Sequence, residues 1–243
     1  MSEIKQIQVT LTPAESKKLI ALGVRELKCV KDALDNGIIL ITLGTTNAYV
    51  AEELLGKSID KSKYAAGIIS KKLAVVPMDR RLPAVALRKG KPVSADNIID
   101  EMKASDVIIK GANALGPDGI PGVFMANPRG GTTGGFIGPQ MSKGVNLVIP
   151  VGLEKSIPYS VLDISRRIGI QRCHKAVGIP VGMMPLFGTV MTEVQALALL
   201  GASDVFPMGA GGVEGGEGSV MLCVETDKPD EMMALVERIK ATA

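Results

Sequence analysis

The segment Ile38-Ile39-Leu40-Ile41-Thr42-Leu43-Gly44-Thr45-Thr46-Asn47-Ala48-Tyr49-Val50-Ala51-Glu52-Glu53-Leu54-Leu55 constrains the chain most. Six residues of apolar, β-branched character run into Gly-Thr-Thr, and an amphipathic helix starts directly after. A strand that enters a helix through a glycine and hydroxyl turn builds an anion site. The glycine permits the tight turn. The free N–H groups of the first helical turn, the helix dipole and two hydroxyls then converge on one spot. A phosphate or carboxylate is the natural occupant of Gly44, Thr45 and Thr46. Helix capping by one threonine is the simpler alternative. A cap needs one such residue, whereas this turn has two and a glycine.

The same alternation continues along the chain. Pro13 to Leu22 and Arg25 to Asp35 carry apolar residues at helical spacing, and Asn36-Gly37 stops the second helix. Lys72 to Pro77 and Ala84 to Leu87 read as short strands, and Ser94 to Met102 as a helix capped by Ser94. Asp106 to Lys110 and Asn146 to Val151 are further strands. Continuous apolar strands separated by helices predict a mostly parallel, Rossmann-like α/β sheet covered on both faces. Open sheets of this kind bind ligands at the carboxyl ends of their strands, where Gly44, Gly111 and Gly152 lie.

After about Tyr159 the pattern changes. Ala176 to Met184 reads as a strand interrupted by Pro180, and Thr192 to Leu200 as a helix. Asp204 to Met208 is a short strand, Gly209 to Gly218 a glycine loop and Ser219 to Glu225 a strand. Pro229 to Ala241 is a final amphipathic helix. The division expected is a Rossmann-like anion-binding domain over 1–156, rejoined by 219–243, with a small inserted α+β lobe over 157–218.

Composition excludes several function classes. At 243 residues the chain can bury a proper core. Hydrophobic residues at 46% and charged ones at 22% suit a soluble globular enzyme. Aromatics at 3% with no Trp provide no base-stacking platform, and the net charge of +3 is dispersed, so a nucleic-acid partner is not expected. Cys29, Cys173 and Cys223 lie too far apart for a zinc knuckle or a disulfide framework, and reduced thiols point to a cytoplasmic setting. Metal ligands are scarce, and neither a metal nor another cofactor is expected. Met1 to Gln8 is polar and no apolar run reaches spanning length, so a membrane is not expected either.

Two further motifs carry chemistry. Arg129-Gly130-Gly131-Thr132-Thr133-Gly134-Gly135-Phe136 reads as a ligand loop, because its glycines let backbone N–H groups approach a ligand and Arg129 can grip an oxyanion bidentately. It lacks the Lys-Ser/Thr ending of a nucleotide-binding P-loop. Gly209-Ala210-Gly211-Gly212-Val213-Glu214-Gly215-Gly216-Glu217-Gly218 places carboxylates between glycines. His174 has no acid beside it in sequence and reads as structural or exposed.

The order helix, Asn36-Gly37, apolar strand, Gly44-Thr45-Thr46, helix resembles the opening of ribose-5-phosphate isomerase and its superfamily of sugar-phosphate isomerases, sugar-sensing regulators and CoA transferases. Asp106 to Leu115 resembles the family's second motif, a strand ending in an Asp-Gly-Ala-Asp type of turn. Arg129 to Phe136 stands where the family carries a Lys-Gly-Gly-Gly loop. The strand from Asn146 leads to an acid and a lysine, Glu154 and Lys155. The glycine loop with Glu214 is similar to the loop that carries the nucleophilic glutamate of CoA transferases. The likeness covers most of the chain as an order of elements. It is close residue by residue only at Gly44 to Thr46 and Gly111-Ala112.

That resemblance implies the fold, an anion crevice and a homo-oligomer. Its departures matter more. The isomerases move a proton with carboxylates near the second motif, and here the turn reads Lys110-Gly111-Ala112-Asn113. An amide cannot act as a general base. The resemblance therefore argues against ordinary ribose-phosphate isomerisation. Lys110, Asn113 and Arg129 instead favour a phosphate, a carboxylate or a CoA pyrophosphate. The resulting expectation is a small anionic metabolite held by Gly44, Thr45, Thr46, Gly111, Asn113, Arg129, Gly130, Gly131, Thr132, Thr133 and Gly134. Lys110 and Glu214 are the candidate catalytic groups. A divergent isomerase-like or transferase-like enzyme and a non-catalytic metabolite-binding or sensing protein both fit.

Overall fold

The structure, a computed structural model, describes residues 3–243. In chain order its strands and helices begin with β1 (Lys5–Leu11), α1 (Pro13–Glu26), α2 (Lys28–Asn36), β2 (Ile38–Ile41) and α3 (Thr45–Leu55). They continue through β3 (Gly67–Ile69), β4 (Leu73–Val75), β5 (Val85–Arg88), β6 (Lys91–Val93), α4 (Ile98–Glu101) and β7 (Val107–Ile109). Next come β8 (Ala114–Leu115), β9 (Pro121–Met125), α5 (Gly131–Lys143), β10 (Asn146–Pro150) and α6 (Val161–Arg167). The last are β11 (Gly182–Pro185), β12 (Thr189–Met191), α7 (Glu193–Leu199), β13 (Asp204–Gly211), β14 (Ser219–Thr226) and α8 (Pro229–Thr242). No helix among the described residues is long and apolar enough to cross a membrane.

The central sheet is mixed, in the order β12-β10-β7-β2-β5-β6. Its first four strands run parallel, and β5 and β6 are antiparallel additions at one edge. Every residue of β2 is buried. Because successive side chains alternate across a strand, Ile39 and Ile41 join one core while Ile38 and Leu40 join the other. The first core holds Leu19, Ile20 and Val24 of α1, Val50 of α3 and Leu197 of α7. The second holds Ile98 beside α5's Phe136. Burial on both faces is why these strands read as continuous apolar runs.

A three-stranded antiparallel sheet, β1-β14-β13, lies behind α1 with α8 against it. Thr12 caps α1 by accepting from the Glu15 N–H while Glu15 Oε2 accepts from the Thr12 N–H at 2.7 Å, a reciprocal capping box. A second small sheet, β11-β9-β8, and the β3-β4 hairpin flank the carboxyl ends of the central strands. Residues 157–218 supply both β11, which pairs with β9, and β12, which forms an edge of the central sheet. Residues 219–226 pair with β1 and β13.

Several local expectations change. The stretch 129–136, read as a ligand loop, is a turn at Gly130 followed by the first residues of the 13-residue helix α5. Its glycines and Pro139 hide the helical pattern, but Thr133, Phe136 and Gln140 are buried at helical spacing and anchor it. The helix expected over 94–102 contracts to α4, because Asn97 is in the left-handed region at φ 55° and only four residues follow it in helical form. The strand expected over 176–184 reduces to β11, beyond Pro180. Gly209 to Gly211, read as loop, extend β13. The polar start of the chain contains β1, whose Val9 and Leu11 are buried against the core while Lys5, Gln6, Gln8 and Thr10 are exposed. The strand read over 72–77 is β4, which pairs with β3 in a separate hairpin rather than joining the central sheet.

Candidate functional site

At the carboxyl ends of β2 and β7 the chain opens a cavity of about 590 Å³. That volume suits a small metabolite. Three sequence-predicted segments meet on its wall: Gly44 to Thr46, Lys110 to Asn113 and Gly130 to Thr133. Arg129 and Gly134 are adjacent in sequence but do not line it, and both are exposed. Glu214 lies elsewhere, exposed in the β13-β14 turn with φ 55°.

The first segment is held from beneath. Tyr64 is buried. Its hydroxyl donates to the Ile41 carbonyl at 2.7 Å and accepts from the Val85 N–H at 3.0 Å, while its own carbonyl accepts from the Gly44 N–H at 3.0 Å. Asn47 is also fully buried, and its Nδ2 donates to the Thr42 carbonyl at 2.7 Å and the Ile109 carbonyl at 3.2 Å. One amide thus ties the start of α3 to the ends of β2 and β7. A Cβ at Gly111 would stand 3.4 Å from Asn47 Oδ1, at the near limit of ordinary van der Waals contact, so the two segments approach closely here.

Neither threonine is the helix cap. Gly44 occupies the N-cap of α3, with no side-chain hydrogen bond to the first turn. The N–H groups there retain their capacity for an acceptor. Thr46 Oγ1 is buried with no hydrogen-bond partner among the described residues. The N-terminus of α5 has the same form. Gly130 is its N-cap at φ 79°, again without a side-chain cap, and Gly131, Thr132 and Thr133 follow on the cavity wall. Gly134 is required by this turn, because a Cβ there would lie 2.0 Å from the Arg129 carbonyl oxygen. Two uncapped helix N-termini therefore open on one space.

Its electrostatics are positive. The only ionisable side chains among the lining residues are Arg81, Lys110 and Lys155. Burial, with a smaller contribution from the Lys155 charge, pushes the Lys110 ammonium down to about 8. No carboxylate among the described residues forms an ion pair with it. Burial also lowers Lys155, although the nearby Glu154 and Glu193 favour its charged form, and its Nζ donates to the Ala112 carbonyl at 2.9 Å. Glu193 is fully buried at the start of α7, where burial raises its carboxyl and the Leu153 N–H donates to it at 2.9 Å. Asn113 Oδ1 accepts from the Phe124 N–H at 2.9 Å, so its NH2 is what remains for a ligand.

The opposite wall is apolar, formed by Leu73 and Val75 of the hairpin together with Ile179 and Val181. Nothing in the sequence marks these residues, because their approach depends on how the hairpin and the segment before β11 fold over the strand ends. Lys155 is not among the expected site residues, although it follows the carboxyl end of β10, where the strand-end rule directs attention. Asn47 was hidden inside a helix pattern. Among the described residues, then, the fold and cavity define a mixed α/β chain with a cationic crevice at the carboxyl ends of parallel strands. Comparison with protein-family models, with curated proteins and with solved structures finds no match to this chain in any of the three.

Proposed function

We propose that the chain binds a small anionic metabolite, bearing a phosphate, a carboxylate or a CoA-type pyrophosphate, in the crevice between Gly44–Thr46, Lys110–Asn113 and Gly130–Thr133. One observation carries the reading: the uncapped N-termini of α3 and α5 and the half-buried Lys110 share one cavity. Each element alone is common. Together they offer backbone donors, two helix dipoles and a cation to one small volume, which is what an oxyanion requires. The unpartnered Thr46 hydroxyl adds a donor whose burial is otherwise a net cost. The arrangement supports reading the parallel part of the sheet as Rossmann-like, and the whole as a divergent relative of the ribose-5-phosphate isomerase superfamily working as an isomerase-like or transferase-like enzyme. Lys110 is its candidate catalytic residue.

Inorganic phosphate is expected to raise the melting temperature in a saturable manner, as any ligand specific to the folded state does. Substituting Thr46 by Val is expected to weaken that protection by about 1 kcal/mol of binding, the scale of one neutral hydrogen bond. A phosphate titration followed by differential scanning fluorimetry decides it. Absence of any saturable shift sinks the proposal.

Ribose-5-phosphate isomerase turnover is expected to stay at background. Proton transfer between adjacent carbons needs a positioned base, worth on the order of a hundred- to ten-thousand-fold, and no Asp, Glu or His lies on the cavity wall. A coupled assay on the purified protein checks this. Robust turnover would show that a carboxylate such as Glu154 enters the cavity. A non-catalytic, metabolite-binding role is the second reading, and the same absence of acids on the wall favours it.

A further inference from the structure

The cavity wall leaves few chemical options. Its hydroxyl-bearing residues are Thr45, Thr46, Thr132 and Thr133, and no His, Cys, Tyr, Asp or Glu stands on the wall to activate one as a nucleophile. The Arg81 guanidinium cannot give up a proton and is engaged, donating to the Val76 carbonyl at 2.6 Å. The Lys155 ammonium is held by the Ala112 carbonyl, with two carboxylates nearby. Lys110 differs from all of these. It stands at the carboxyl end of β7, partly buried, with no anionic partner among the described residues and with a second lysine beside it. Removal from water and a neighbouring cation are the two conditions that free the lone pair of a lysine near neutral pH.

We propose that Lys110 is an imine-forming nucleophile, and that the metabolite is an aldehyde or ketone carrying a phosphate or carboxylate. This rests on the anion-site reading above, which supplies the group that anchors the substrate while its carbonyl meets Lys110. The Nζ lone pair forms a C–N bond at the carbonyl carbon, and the C=O π pair moves to oxygen. A proton passes from nitrogen to that oxygen, giving a carbinolamine. The C–O bond then breaks, the hydroxyl leaves as water with the second nitrogen-bound proton, and the nitrogen lone pair closes the C=N bond. Atoms and electrons balance without an oxidant, a reductant or a metal. The ammonium at about 8 gives Lys110 a neutral fraction at pH 7 on the order of a hundred times that of an ordinary lysine.

The test uses the purified full chain, glycolaldehyde phosphate or glyoxylate as probe, and cyanoborohydride to reduce any imine to a stable secondary amine. Peptide mapping by mass spectrometry then locates the adduct. At pH 7, Lys110 is expected to be modified at least about tenfold faster than any other lysine. Inorganic phosphate should slow that reaction, and uncharged glycolaldehyde should show no such preference. A Lys110→Arg variant should lose the selective adduct. If that variant does not fold, the map of the parent protein still decides. If phosphate stabilises the protein but the adducts scatter over other lysines, the imine proposal is overturned and the anion site stands. If phosphate neither stabilises nor competes, the anion site fails, and this inference with it.

Discussion

A Lys110→Met variant is expected to be more stable than the parent at pH 7, by up to about 3 kcal/mol. The magnitude follows from the fall of the Lys110 ammonium from 10.5 to about 8, at 1.36 kcal/mol per pH unit. In the unfolded chain this lysine holds its proton up to about 10.5, and in the folded protein only up to about 8. Below pH 8 both states are protonated, and the cost of burying the charge is present in full. As pH rises from 8 to 10.5 the folded lysine is neutral while the unfolded one still binds a proton, so the parent gains stability. The advantage of the Met variant should therefore shrink across that window and vanish above it. Urea denaturation of both proteins between pH 7 and 10.5 measures this. A Met variant that is equally or less stable at pH 7 would mean that Lys110 is held by a favourable contact rather than strained by burial. Stability surrendered at such a position is characteristic of a group retained for its chemistry.

Gly134→Ala is expected to destabilise the protein by about 3 kcal/mol, in the upper range for single substitutions, and to abolish protection by phosphate. The new Cβ would sit 2.0 Å from the Arg129 carbonyl oxygen, and a backbone atom cannot rotate out of the way. The turn at Gly130 and the first turn of α5 would have to shift, which takes their N–H groups off the cavity. Gly135→Ala, one residue along, meets nothing within 4 Å. It is expected to gain roughly 0.5–1 kcal/mol from helix propensity alone. Thermal melts of the two variants, with and without phosphate, separate the cases. Equal behaviour would show that the start of α5 is not fixed by this contact.

The parts of the fold that were legible are those where one rule dominates. Ile38 to Ile41, Val107 to Ile109 and Asn146 to Pro150 are buried on both faces, so their composition is sufficient to identify them. The Gly44 and Gly111 turns line the cavity, as expected of strand carboxyl ends in such sheets. What was not legible depends on tertiary context. Helix α5 contradicts its own propensities and persists because Phe136 and Thr133 are buried. The seven-residue β1 has only Val9 and Leu11 buried, a signal too weak to separate from a polar leader without its partner strand. Arg129 is the opposite case. Its charge next to glycines suggested an oxyanion clamp, but the left-handed turn at Gly130 leaves it outside the cavity. Glu193, buried between Leu153 and Ser16, sat in an ordinary capping sequence and gave no sign of standing near Lys155.

Strand β1 has a partner that arrives late. Its seven residues pair only with β14, from Lys5 opposite Thr226 to Leu11 opposite Val220. A ribosome makes the chain from its amino end, so β1 emerges early and then waits through the synthesis of everything up to residue 219. During that interval its backbone donors and acceptors are unmatched and its apolar side chains are uncovered, a state that invites pairing with a neighbouring nascent chain. The polar residues alternating along it, Lys5, Gln6, Gln8 and Thr10, work against such mispairing. The central sheet needs no such delay for β2, β5 and β7, whose contacts are closer in sequence. Closure of the small sheet cannot begin before residue 219 has been made, whereas the strands β2, β5 and β7 that shape the crevice can pair well before that.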